Sequence, residues 1–316
     1  MYLTYRPLET ADIEPCLGLA AGDYAENPDI FPRAASAWQR LLAAGSLNGM
    51  ILEDRAAPPA DRLAAFGMSA FVSPAFMAEA RLGAAPGVAA RLARRLAAGE
   101  SPVLSPEAVR RANSGPGLHL LVLHYTEAPT DSPERLRAVR DKQVETFFYV
   151  HGGYRYAEML VEHRSDDLRR FALEGGFRVR SDYGAYYRDH PRPPGACPSL
   201  LGITRAETEP HPGLHVARLF VYTPPRFYFK PREQALLRQA LLDKTDEETA
   251  AALGVTVDTV RKRWAGLYDR VADADPALFH GSPESGTSHR GLEKRRPLMR
   301  YLRLHPEEMR PAEQPA

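Results

Sequence analysis

PREQALLRQALLDKTDEETAAALGVTVDTVRKRWAGLYDRV, residues 231–271, reads as three short helices with a tight turn between the second and the third. The first spans about 231–242. Pro231 suits a first helical position, where its missing N–H would have no helical partner. Leu236, Leu237, Ala240 and Leu241 form one apolar stripe. The second helix starts at Thr245 or Asp246, either of which can cap it, and Glu247 and Glu248 suit the positive end of the helix dipole. Ala250 and Leu253 face inward, and Gly254 follows where a residue must turn left-handed. Thr256 caps the third helix. Val260, Trp264, Leu267 and Val271 hold one face of it for three turns. The opposite face carries Asp258, Arg261, Lys262 and Ala265, with Thr259 and Arg263 on its flanks. A slender basic helix braced from behind is an object the major groove of B-DNA admits.

Pro231-Arg232-Glu233, then Asp246 to Val255, then Thr259-Val260-Arg261 resemble the LuxR-type helix-turn-helix, and region four of sigma factors has nearly the same pattern. Lys230 stands where that family usually has a capping Ser or Thr, and Thr249 where it usually has an apolar residue. The resemblance implies double-stranded DNA as a partner. The residues nearest DNA are expected to be Thr256, Asp258, Thr259, Arg261, Lys262 and Arg263, with Val260 in the core.

The chain has 316 residues, enough for two domains. Its hydrophobic content of 44% and charged content of 26% are those of an ordinary soluble globular protein. A formal net charge of +1 means that nucleic-acid affinity must come from a local patch. Cys16 and Cys197 form neither a zinc cluster nor a disulfide framework, which fits a reducing cytoplasm. No apolar run reaches membrane-spanning length, and the first residues lack the pattern of a signal peptide.

Before the motif, the expected order is a strand at 2–8, helices at 10–21 and 34–44, strands at 47–53 and 63–72, and helices at 88–98 and 106–112. A central strand at 118–125, apolar on both faces, precedes a helix at 135–150. A strand at 154–161, a helix at 166–174 and a Tyr-rich strand at 177–187 complete the set. That is an α/β or α+β order with a mixed sheet and flanking helices. Tyr5-Arg6-Pro7-Leu8 with Asp12, His151-Gly152-Gly153-Tyr154-Arg155 and Glu174-Gly175-Gly176-Phe177-Arg178-Val179 resemble the GNAT acetyltransferase fold.

The GNAT resemblance implies an acetyl-CoA site in which a Gly-containing loop after the central strand opens a helix and holds the pyrophosphate. Here that segment is Thr126 to Glu134. It has no glycine, Pro129 and Pro133 remove donors, and Glu127, Asp131 and Glu134 are negative where a polyanion would sit. The cofactor loop therefore reads as degraded. Glu158, Glu162, Tyr183, Tyr186 and Tyr187 are of the types that serve a transferase as base and acid, but Tyr on sheet faces is more often packing. His119 and His124, five apart on a strand, are expected on opposite faces, which suits no single metal ion. His151 and His163 have no evident partner. No catalytic residue and no metal site is assigned.

The resulting organisation is a GNAT-like domain at 1–188, a Pro-rich linker with a hairpin at 189–225 (strands at 200–204 and 216–222), an all-α LuxR-like helix-turn-helix domain at 226–275 and a basic extension at 276–316. Phe227, Tyr228 and Phe229 either stack bases or, as is the more usual role of such aromatics, pack on the first helix. Lys294, Arg295, Arg296, Arg300 and Arg303 either meet phosphates or face solvent on a helix that docks a partner subunit, and 306–316 is expected to fray. The expected function is a cytoplasmic, homodimeric DNA-binding transcriptional regulator with a small-molecule or acyl-CoA effector, no membrane partner and no resident cofactor. The alternative is a GNAT N-acyltransferase using acetyl-CoA, with an accessory helix-turn-helix.

Overall fold

The computed structural model describes residues 1–192, 197–279 and 290–314. Part of the expected Pro/Gly boundary (193–196), part of the loop expected at 273–287 (280–287) and the side chain of Leu292 lie outside the described residues. The chain divides into two compact units, Met1–Val221 and Tyr222–Ala316.

The first unit is built on a seven-stranded sheet. Its strands are β1 (Leu3–Pro7), β2 (Asn48–Asp54), β3 (Leu63–Val72), β4 (Leu118–Glu127), β5 (Tyr156–His163), β6 (Arg178–Ser181) and β7 (Ser199–Thr204). They lie in the order β1-β2-β3-β4-β5-β7-β6. Only β4 and β5 run parallel; every other neighbouring pair is antiparallel. This is the mixed sheet with flanking helices expected from the sequence.

The helices of this unit are α1 (Ile13–Leu19), α2 (Phe31–Ala43), α3 (Pro74–Leu82), α4 (Val88–Ala97), α5 (Pro106–Ser114), α6 (Pro133–His151), α7 (Asp166–Glu174) and two single turns, α8 (Tyr186–Asp189) and α9 (Arg205–Thr208). One device starts three of them. Ser73, Ser105 and Ser132 each precede a Pro, and each hydroxyl accepts an N–H of the first turn, from Phe76, Ala108 and Arg135 respectively. Pro lacks only an N–H that would be orphaned there, and the Ser satisfies another. Helix α3 was not anticipated, although Ser73-Pro74 is its signal.

Residues of α1, α2, α3 and α4 pack on one face of the sheet with Ile51, Phe66, Leu121 and Leu123. Residues of α5 and α7 pack on the other with Leu118, Leu120, Met159 and Leu201. Arg6 of β1 grips Asp12 with both terminal nitrogens, at 2.7 and 2.8 Å, and Glu53 of β2 with Nε at 2.7 Å. These contacts tie the first strand to its neighbour and to the start of α1.

Three expectations are corrected in this unit. The strand expected at 177–187 ends at Ser181, because the Asp182 carboxylate accepts the Gly184 N–H at 2.9 Å and Tyr183 sits at φ +55°, which turns the chain. The segment expected as a strand at 216–222 is a 3₁₀ stretch, His215–Phe220, that buries Val216, Leu219 and Phe220. No interdomain hairpin forms: Ser199–Thr204 enters the sheet between β5 and β6, where a strand buried along most of its length finds partners on both edges.

The second unit is all-α: α10 (Pro231–Leu241), α11 (Asp246–Leu253), α12 (Val257–Ala274) and α13 (Arg290–Leu304). Phe227 and Phe229 join its core, as expected. The extension expected to be separate is part of this unit. Leu298, Met299, Leu302 and Met309 are buried with Trp264 and Leu267. Nor does the described part of the C-terminus fray: the buried Glu308 carboxylate accepts the N–H groups of Arg226 and Phe227, each at 3.0 Å, and the Tyr301 hydroxyl at 3.1 Å.

Candidate nucleic-acid interface and ligand cleft

The geometry between α11 and α12 follows from caps and one glycine. The Thr245 hydroxyl accepts the Glu248 N–H at 3.1 Å, and the Glu248 carboxylate accepts the Thr245 N–H at 2.8 Å. This closes the reciprocal box at the start of α11. Gly254 ends the helix at φ +63°, with no neighbouring atom within 4 Å of a built Cβ, so the backbone conformation and not space selects glycine. Thr256 then caps α12 by accepting the Thr259 N–H at 3.2 Å.

Helix α12 has the two faces its spacing implies. Val260, Leu267 and Val271 are wholly buried and Trp264 nearly so. Thr256, Asp258, Arg261, Lys262 and Ala265 are exposed, while Thr259 and Arg263 are half-buried. Lys262 is paired with Asp258 one turn back at 2.8 Å, an interaction that pulls the carboxyl below its usual range and raises the ammonium. Arg295 of α13 lies over the Trp264 ring at 4.8 Å and pairs with Asp246 at 3.0 Å; Arg303 pairs with Asp243 at 2.9 Å. Arg295 is thus held inside the unit, while Arg296, Arg300 and Arg303 are exposed, Arg303 in a surface pair with Asp243. The Thr249 hydroxyl is buried with no hydrogen-bond partner.

In the first unit the residues considered for catalysis are tied into the fold. The Glu162 carboxylate accepts the N–H groups of Gly87 and Val88 at the start of α4 and the Tyr183 hydroxyl at 2.8 Å, and burial raises its pKa. Glu158 is buried beside Arg81 at 3.2 Å and His119 at 3.7 Å. Tyr187 donates to Glu26 at 2.6 Å, Glu26 also pairs with Arg164, and Tyr186 stacks on His190.

Sequence reasoning missed a buried relay. Trp38 Nε1 donates to the Tyr24 hydroxyl at 3.1 Å. That hydroxyl lies 3.1 Å from His124 Nε2, and His124 Nδ1 lies 2.7 Å from Asp23. One direction of donation, Trp to Tyr to His to Asp, satisfies all four groups. Leu123 is an extra residue in β4 relative to β3, since Val122 pairs with Ser69 and His124 with Met68. This bulge breaks the alternation on which the expected orientation of His124 rested and turns it toward Trp38. Its partner Asp23 is 101 residues away, so no local signal marks the pair. His151 is likewise partnered, by Ser69 at 2.8 Å and the Phe147 carbonyl at 3.0 Å.

Beyond the Val122–Val161 pair the register of β4 and β5 ends. A cavity of about 310 Å³ opens there, lined by β4, β5, α6, α7 and residues 215–216. The start of α6 closes on itself: Ser132 caps it, and Arg140 pairs with Glu127 at 2.8 Å and with Asp167. Among the described residues no group of three or more His, Cys, Asp or Glu side chains is placed to hold a metal ion, and no helix is long and apolar enough to cross a membrane.

The chain is thus a unit with a mixed seven-stranded sheet and flanking helices, followed by an all-α unit in which Gly254 turns α11 into α12. No protein-family model matches the chain, and no curated protein matches it significantly. Among solved structures it is similar to a putative GNAT-family acetyltransferase from Desulfovibrio desulfuricans, at 13% identity and TM-score 0.34, covering 64% of this chain and 99% of that one. It is similar to Arabidopsis thaliana NAA60 in complex with acetyl-CoA, at 14% identity and TM-score 0.37, covering 64% and 98%. It is also similar to FeeM, an N-acyl amino acid synthase from uncultured soil microbes, at 10% identity and TM-score 0.34, covering 67% and 98%. At these scores the likeness adds nothing to what the strand order already states.

Proposed function

We propose that the chain is a DNA-binding transcriptional regulator of the LuxR-like kind, with its GNAT-like unit as a sensor or interaction module. The observation that carries the reading is the two-sidedness of α12: Val260, Leu267 and Val271 fully buried, Arg261 and Lys262 fully outward. A helix so braced can enter a major groove without rearranging its own core. Thr256, Asp258, Thr259, Arg261, Lys262 and Arg263 are its proposed contact set. A single module of this kind covers only about 600–1,000 Å² of protein surface, so a homodimer on two half-sites is part of the proposal. Selection of the full chain on a random duplex library tests it. The reading expects a reproducible enriched sequence, with half-sites about 10 base pairs apart or a multiple of that. Recovery of unenriched DNA after repeated rounds would sink it.

A second reading, an N-acyltransferase using acyl-CoA, is favoured by the separation of β4 and β5 and the cavity there. Against it stands the chemistry of residues 126–134, ahead of α6 and into its first turn, which offers no glycine, two prolines and the carboxylates of Asp131 and Glu134 to a pyrophosphate, with Glu127 held by Arg140. Calorimetric titration of the full chain with coenzyme A separates the two. The transferase needs micromolar binding; a regulator whose effector is a small molecule other than acyl-CoA expects no heat.

A further inference from the structure

The cavity between β4, β5, α6 and α7 contains two polar groups without hydrogen-bond partners. The Tyr125 hydroxyl is buried and unpartnered. His163 lines the same cleft, 5% exposed, and its ring makes no hydrogen bond among the described residues. Their rings meet edge to face with centroids 5.9 Å apart. The other buried histidines of this unit, His124 and His151, are each fully partnered. Burying the Tyr125 hydroxyl without a partner is costly, and native structures rarely do it. The rest of the wall is largely apolar: Val122, Val144, Phe147, Phe148, Val161 and Phe171. An apolar cleft with a few convergent polar groups is the usual form of a small-molecule site.

We propose that this cleft holds an uncharged amphipathic small molecule: an apolar chain or ring of about ten non-hydrogen atoms, from a volume of about ten waters, with one carbonyl or hydroxyl that meets Tyr125 and His163. Charge argues against an anionic head. Burial holds the His163 pKa down to about 4, so the ring is neutral at pH 7, and the exposed Glu174 carboxylate stands at the lining. A phosphate-bearing ligand is disfavoured by the closed start of α6. The proposal deepens the sensor half of the regulator reading and rests on it for its biological sense. Its test uses no DNA, so the two fail separately.

The test is displacement of the neutral fluorophore 1-naphthylamine, of about the size proposed for the ligand, from the full chain by 2-decanone, decane, decanoate and coenzyme A. The expected order is 2-decanone first, with decanoate needing at least about tenfold more, as an unpaired charge in an apolar site should, and no displacement by coenzyme A. Tyr125→Phe should weaken 2-decanone about five- to tenfold, the effect of one hydrogen bond to a buried group, and leave decane unchanged. Ala172→Phe, which fills the cleft, should abolish fluorophore binding. Should that variant not fold, Tyr125→Phe decides alone. No fluorophore binding to the wild type, equal displacement by ketone, alkane and carboxylate, preference for coenzyme A, or a Tyr125→Phe variant indistinguishable from wild type would each overturn the proposal.

Discussion

Lys262 Nζ lies 2.8 Å from Asp258 Oδ2, one turn apart on the exposed face of α12. The lysine that should meet phosphate is therefore already paired with a carboxylate on its own helix. Such an exposed i,i+4 pair contributes little to stability, so its breaking costs little. Asp258→Asn should free Lys262. Duplex binding should tighten, and the slope of log affinity against log salt should steepen by about one unit. Fluorescence anisotropy over a salt series reads both. A weaker or salt-insensitive variant would mean that the contact of Asp258 itself, as a member of the proposed set, outweighs the freed lysine.

Thr249 supplies a second prediction. Its hydroxyl is buried without a partner. Thr249→Val keeps the shape and removes the orphan, so the second unit should gain about 1 kcal/mol. Hydrogen exchange of α11 and α12 amides in the full chain should then slow by about fivefold where it reports opening of the whole unit. Faster exchange would show that the hydroxyl has a partner in solution.

Acid should weaken the first unit through two groups. Burial holds His163 down to about 4 from 6.5, so the stability it contributes is full above 6.5 and lost as pH falls toward 4. The Arg180 hydrogen bond holds the Glu207 carboxyl down to about 2 from 4.5, with Thr204 N–H adding to it at 2.8 Å; its contribution is full above 4.5 and lost toward pH 2. Denaturant unfolding of wild type and Glu207→Gln should differ most at pH 7, and the difference should shrink below 4.5 and close only toward pH 2. A difference independent of pH would remove Glu207 from the account.

Much of this was legible in the sequence, for definable reasons. The helix starts at Thr245 and Thr256 and the turn at Gly254 are local, and local chemistry is read from neighbours in the chain. The buried stripe of α12 follows from a period. The strand expected at 118–125 shows itself by being apolar on both faces, although β4 runs on to Glu127. What escaped was long-range or irregular. The bulge at Leu123 has no sequence mark, and it reorients His124 toward a partner 101 residues away. The 199–204 strand reads like a linker hairpin because its two partners lie elsewhere in the chain. The basic run at 294–303 suggests phosphate, yet Arg295 is spent on Trp264 and Asp246. The empty volume beside Tyr125 and His163 is invisible in one dimension: Tyr125 reads as an ordinary strand position, and His163 lies just past the strand expected at 154–161 with no partner in view.

The central claim is that the outward face of α12 reads DNA. Its most direct test is the affinity of Arg261→Ala/Lys262→Ala, in the full chain, for the duplex enriched by selection. Both residues are exposed, so circular dichroism and thermal unfolding should match the wild type. Binding should fall by at least about tenfold, the least expected from losing two charge-assisted contacts. Undiminished affinity in that folded variant would contradict the account.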